Sequence, residues 1–364
     1  MPSQSTVIKG YIPQLDGIRG LAIILVVSFH YFGHIPLFSF GWCGVDLFFV
    51  LSGYLITSRL IASQKQKDHL KKFYINRALR ILPIYYLTLV LFYTAFNLLV
   101  KKENFYLFDF YNYNWASFAL FFQNWTFIFY HGPKENFLEH FWSLAIEEQF
   151  YLLWPFFLYK LWQKKFFYKL IFIIIVLIIL TRILIYSYYP EWSDYRHYFY
   201  NTFCRMDAFL IGGCLLLFQK ANKLKHFARL SVGSSIIIAA GILLTGNASV
   251  SNPFMSTTGY TLIALMFAGL IYKASNNCSK LVSTVFNYKW LRFTGKISYG
   301  LYIFHWLVLK ALEIKLERLL AKSGYLNFQF AHLLSLFICL AISYLISVIS
   351  YFYFELYFLK QKVR

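Results

Sequence analysis

The sequence predicts an all-α polytopic membrane protein, a bundle of about ten transmembrane helices with both termini in the cytoplasm. Three observations carry that expectation. The 364 residues are 59% hydrophobic and 22% aromatic but only 14% charged, well below the charged fraction of ordinary soluble domains. Apolar runs long enough to cross a bilayer recur along the whole chain. Lysine and arginine gather in alternate connecting segments, as they do in loops that are not translocated.

The spans are expected at 18–34, 42–61, 80–99, 141–160, 167–186, 203–218, 229–246, 257–272, 297–314 and 329–356. With the N-terminus inside, most of the 35 Lys and Arg fall in the cytoplasmic segments 1–19, 59–80, 160–169, 219–229, 273–296 and 360–364. The stretch 115–130 is apolar but short and interrupted by Gln123, Asn124 and Trp125, so an interfacial or re-entrant piece is expected there. The net charge of +20 follows from a basic rim beside anionic lipid and requires no nucleic-acid partner. The first apolar run has neither a basic flank nor a small-residue cleavage site, which excludes a removable signal peptide. Five scattered cysteines form neither a disulfide framework nor a metal motif, and no metal is expected.

The first span, LDGIRGLAIILVVSFH, places Arg19 and His30 eleven residues apart. That is three helical turns, so both face one way about 16 Å apart along the axis. An ionisable group at mid-bilayer costs about 2.5–3.5 kcal/mol on insertion scales, which makes each a functional candidate. The structural reading of Asp16 is an N-cap following Pro13, with Arg19 one turn on as its ion-pair partner.

The second span opens GWCGVDLFFVLSGYLIT, with Asp46 near its outer end and Gly53 two turns along the same face. A small residue there lets another helix come close. Asp46 and His30 lie at similar depth, and a hydrogen bond between them would fix the imidazole tautomer. Before the third span, Arg77 and Arg80 share a face at i, i+3, suited to phosphate or to topological anchoring. On entry to the fourth, His140, Ser143 and Glu147 share a face, and Glu148 points about 100° away. Further on, Arg205 and Asp207 sit near the outer edge as a possible rim pair. His305 is mid-span with Tyr302 one turn below, and Glu355 closes the series.

The combination LDGIRGLA…H, GVDLFFVLSGYLIT, FYINRALRILPIYY, HFWSLAIEEQFYLLWP and ISYGLYIFHW resembles acyltransferase family 3, membrane proteins that O-acylate bacterial surface sugars. The resemblance implies an arginine and a histidine with ten residues between them in the first span, at Arg19 and His30, an Arg-x-x-Arg pair at Arg77 and Arg80, and the acid Glu147. One departure is that Glu355 is followed by LYFLK where the family usually has a nearby proline. The extracytoplasmic esterase-like domain of many relatives is not seen in this sequence, so a single transmembrane domain over 1–364 is expected.

Topology and resemblance together lead to a multi-pass enzyme of the bacterial inner membrane. It would take acetyl-CoA or another short-chain acyl-CoA from the cytoplasm and a sugar or polysaccharide acceptor from outside, with lipids as neighbours. Arg19, Arg77 and Arg80 would hold the coenzyme phosphates. His30, oriented by Asp46 or Glu147, would be the general base. His140, Arg205, Tyr302 and His305 would contact substrate, one of the last three as an oxyanion donor. The competing class is a proton-coupled transporter or a flippase of lipid-linked sugars, which also needs intramembrane ionisable groups. It would, however, show internal repeats that are not visible here.

Overall fold

The computed structural model describes residues 11–99, 105–130, 136–162, 164, 166–188, 194–220, 224–276, 279–322 and 327–363. Among them all regular structure is helical. The long helices are α1 (Pro13–Phe32), α2 (Gly44–Ser63), α3 (His69–Leu99), α4 (Trp142–Leu161), α5 (Phe167–Tyr188) and α6 (Thr202–Lys220). The series continues with α7 (Leu224–Thr245), α8 (Tyr260–Ser275), α9 (Lys289–Lys296), α10 (Ser298–Lys322) and α11 (Phe328–Ser350).

By length and apolarity, seven helices among the described residues qualify as membrane spans, and an eighth if α9 and α10, bent by 72°, count as one. Three expected spans are not among the seven, and they coincide with α4, α6 and α10, of 20, 19 and 25 residues. At 1.5 Å per residue each is close to or beyond the ~30 Å hydrocarbon thickness. They are the helices that carry Glu147, Arg205, Asp207 and His305. The stretch 115–130 forms two short helices, Trp115–Ala119 and Gln123–Phe129, neither long enough to cross. Between them Phe121 takes a φ of 58° and stacks on Tyr85 with ring centroids 4.3 Å apart.

Two close helix contacts set the frame. A Cβ added to Gly53 would meet the Phe209 carbonyl, and one on Gly212 the Val50 carbonyl, so α2 and α6 touch backbone to backbone. A Cβ on Gly295 would run into the Asp16 carbonyl oxygen and one on Gly20 into that of Leu291, so α1 is pressed equally close to α9. Small residues permit such approach where apolar area alone gives helices little reason to associate. The start of α1, the end of α2, the start of α3, α9 and the residues after α11 meet at one end of the bundle, where the basic side chains collect.

Candidate active site

At that basic end a cavity of about 670 Å³ opens. Arg19 of α1, Arg59 of α2 and Arg77 and Arg80 of α3 face Arg292 and Lys296 of α9 across it. Lys362 joins them from beyond α11, and only Asp16 and Glu355 bring opposite charge. Asp16 lies in the first turn of α1 rather than at its cap, where Ile12 sits. It binds Arg19 at 2.7 Å and accepts a bond from the Tyr11 hydroxyl. Arg77 rests over the Tyr151 ring, 4.4 Å from its centroid. Arg80 has no ion-pair partner among the described residues. Burial and the surrounding guanidiniums, Arg80 first among them, push Lys362 down to about 7. A π-helical turn at Tyr351–Glu355 ends α11 and brings Glu355 to the cavity wall. Such turns recur at functional positions.

From Arg19, Arg77 and Arg80 a narrower cavity of about 80 Å³ continues into the bundle, past Ser52, Glu147 and Tyr151, and ends at Ser143 and Tyr302. Glu147 accepts bonds from the Ser52 and Tyr151 hydroxyls. Tyr302 donates to the His140 carbonyl at 2.8 Å and is bonded to the Ser143 hydroxyl.

One turn beyond Tyr302 stands His305, and His30 lies against it with the rings inclined by only 8°. His305 Nδ1 is 2.9 Å from the Leu301 carbonyl, and His305 Nε2 is 2.7 Å from His30 Nδ1. The hydrogen-bond network assigns the protons. A carbonyl only accepts, so His305 Nδ1 carries a hydrogen. In the neutral ring its Nε2 is then a lone pair, and His30 Nδ1 must donate to it. His30 is therefore left with an unprotonated Nε2, the arrangement of a general base. Tyr31 holds the pair in place by donating to the His305 carbonyl at 2.9 Å. His140 Nε2 donates to the Ile303 carbonyl at 3.1 Å, and its ring packs edge-on to His305.

The expected bond between His30 and Asp46 is not formed. Asp46 instead accepts from Arg205 at 2.8 Å, with both side chains 1% exposed. The expected Arg205–Asp207 rim pair is absent as well. Asp207 is buried and pairs with Arg182 at 2.9 Å, and Thr261 joins them. The reason is helical geometry: residues two apart on α6 point to different faces, so each finds its counter-charge on a different neighbour. Gly53 did mark the face on which Asp46 finds its partner helix. Of the three oxyanion donors considered, Tyr302 gives its hydrogen to the His140 carbonyl and His305 gives its own to the Leu301 carbonyl. Arg205 lies under the Tyr260 and Phe199 rings, outside both cavities.

Local sequence cues missed Arg182, although an arginine inside the most apolar helix is itself a signal. They also missed Tyr31 and the basin's far wall of Arg292, Lys296 and Lys362, which read as topological charge. The unpaired guanidiniums fit phosphate groups. No group of His, Cys, Asp and Glu among the described residues could hold a metal ion.

Fold and site define a polytopic helical membrane protein with a cationic basin at one end and an imidazole pair deeper in the bundle, joined as far as Tyr302 by a cavity. Residues 12–354 match the family described as an acyltransferase domain, and the chain belongs to that family, acyltransferase 3. It is 35% identical to the peptidoglycan O-acetyltransferase OatA of Listeria monocytogenes, over 85% of this chain and 51% of the relative. It is 30% identical to a putative O-acetyltransferase of Staphylococcus aureus, over 97% and 58%. A putative peptidoglycan O-acetyltransferase, YrhL of Bacillus subtilis, is 30% identical over 82% and 49%. The chain thus spans about half the length of the curated relatives it matches. No solved structure matches it.

Proposed function

We propose that this chain is a transmembrane O-acyltransferase of the bacterial inner membrane. It transfers an acetyl or other short acyl group from cytoplasmic acyl-CoA to a hydroxyl of an extracytoplasmic cell-wall polysaccharide. In this reading the chain crosses ten times with both termini inside. The charge asymmetry supports that topology, as do α4, α6 and α10 lying where the less apolar spans are expected. The observation that carries the chemistry is the tautomer-locked His30, three turns of α1 above Arg19 and the cationic basin.

The coenzyme's phosphates rest on Arg19, Arg77 and Arg80, and its arm follows the narrow cavity past Glu147. The Tyr302 ring must turn aside for the acyl end to pass from that cavity to His30. A sugar hydroxyl arriving from the far side gives its proton to His30 Nε2 as its oxygen attacks the thioester carbon. The tetrahedral intermediate collapses with cleavage of the C–S bond, and the His30 imidazolium returns the proton to the departing thiolate. Ester and free coenzyme result. General-base assistance of this kind is worth about 10²- to 10⁴-fold.

The test supplies labelled acetyl-CoA to membranes carrying the protein and follows label into cell-wall polysaccharide. His30→Ala should abolish transfer, and Arg80→Ala should raise the donor KM. Transfer by His30→Ala at the wild-type rate would refute the scheme.

A further inference from the structure

Lys362 reaches the basin by a route that the arginines do not share. After the π-turn and a five-residue helix, Leu356–Lys360, the chain runs along the cavity wall, where Asn76 clasps it by two bonds. Asn76 Nδ2 donates to the Val363 carbonyl at 2.9 Å, and the Val363 N–H donates to Asn76 Oδ1 at 2.8 Å. Asn76 precedes Arg77 directly and lines the same cavity. One side chain therefore ties the strap of residues 361–363 to the helix that carries the arginine pair.

Charge opposes this docking. Lys362 stands among Arg19, Arg59, Arg77 and Arg80, with Asp16 and Glu355 as the only counter-charges on the wall. Like charges in a partly buried site repel more strongly than in water. A ligand bearing several phosphates would turn that repulsion into attraction, and the strap would gain what the basin gains.

We propose that Lys362 is a phosphate ligand of the acyl donor and that Asn76 is the positioning residue that delivers it, so that donor binding and closure of the strap are one event. This rests on reading the basin as the donor site. A phospholipid head group is the other source of phosphate at this depth, and the experiment separates the two.

The full chain is placed in zwitterionic phosphatidylcholine nanodiscs. Coenzyme A affinity and hydrogen exchange of the peptide containing Val363 are then measured with and without coenzyme A, and in parallel discs containing phosphatidylglycerol. Coenzyme A should slow exchange at the strap. Lys362→Gln should weaken coenzyme A binding about tenfold, as loss of one charge-assisted contact does, and Lys362→Arg should keep most of the affinity. Asn76→Ala should weaken binding by a similar factor and remove the ligand-dependent protection. The double variant should be little worse than Asn76→Ala alone, because the two residues act as a unit. The proposal is overturned if Lys362→Gln binds coenzyme A like the wild type while Arg80→Ala does not, or if phosphatidylglycerol rather than coenzyme A protects the strap. If coenzyme A binds neither the wild type nor any variant, the reading of the basin itself fails and takes this proposal with it.

Discussion

An imidazole that has already committed its Nδ1 hydrogen can act only through Nε2, so the residue receiving that hydrogen is part of the base without touching substrate. His305 holds this position toward His30. His305→Ala should therefore lower the rate constant of acyl transfer about 10²-fold with donor KM changed less than about twofold, a split that initial-rate measurements resolve. A second prediction concerns Lys362, which burial and the neighbouring guanidiniums hold near 7. Asp16, Arg19, Arg59, Arg77, Arg80 and Glu355 face it, with Arg292 and Lys296 across the basin. A bound phosphate favours the charged ammonium and raises its pKa. Donor affinity should be constant below about pH 7 and fall as pH rises above it, by about tenfold in all. Lys362→Arg should flatten that profile, because guanidinium stays charged throughout. Coenzyme A titrations across this range check the sign. Arg19 and His30 were legible from spacing alone, since both lie on one helix. The His30–His305 bond was not, because 275 residues separate the partners and periodicity says nothing about which distant helix a face will meet.

Pairs of helices, more than single helices, decide where the charges go. The glycine-lined contact between α2 and α6 brings Asp46 to Arg205 in a setting from which water is excluded. Breaking such a pair on one side leaves an uncompensated charge, which costs about 3–5 kcal/mol. Asp46→Asn should accordingly lower the melting temperature of the purified protein sharply, and Asp46→Leu combined with Arg205→Met should recover much of the loss. Recovery of stability without recovery of transfer would show that Asp46 serves the chemistry too. Gly295→Ala tests the other contact: its methyl group would push α9 away from α1 and displace Arg292 and Lys296 from the basin wall. Weakened coenzyme binding alongside lower stability is expected, read by the same titration. The sequence signalled these approaches only in part. Gly53 announced that some helix would come close to the face bearing Asp46, but a small residue marks a face without naming its neighbour.

At the scale of the molecule, one asymmetry serves two purposes. In the proposed topology the basic residues that hold loops on the cytoplasmic side also build the basin, so charge counting alone does not separate anchor from ligand at Arg59, Arg292 or Lys296. With a membrane-impermeant maleimide, Asn247→Cys should label in intact cells and Lys67→Cys only after permeabilisation. Cys278 is first replaced by Ser; the native Cys43, Cys204, Cys214 and Cys339 are buried and should stay silent. Labelling of both positions from outside would refute the ten-span topology.

The rigidity of α1 has one more consequence. Pinned against α9 by contacts too tight to slide, it keeps its guanidinium and its imidazole at a set separation, and so behaves as a gauge for whatever lies alongside. A carrier that is charged but stubby would be gripped without presenting its cargo, and one that is long but uncharged would present its cargo without being gripped. Discrimination between acyl carriers would then be a matter of length as much as of affinity.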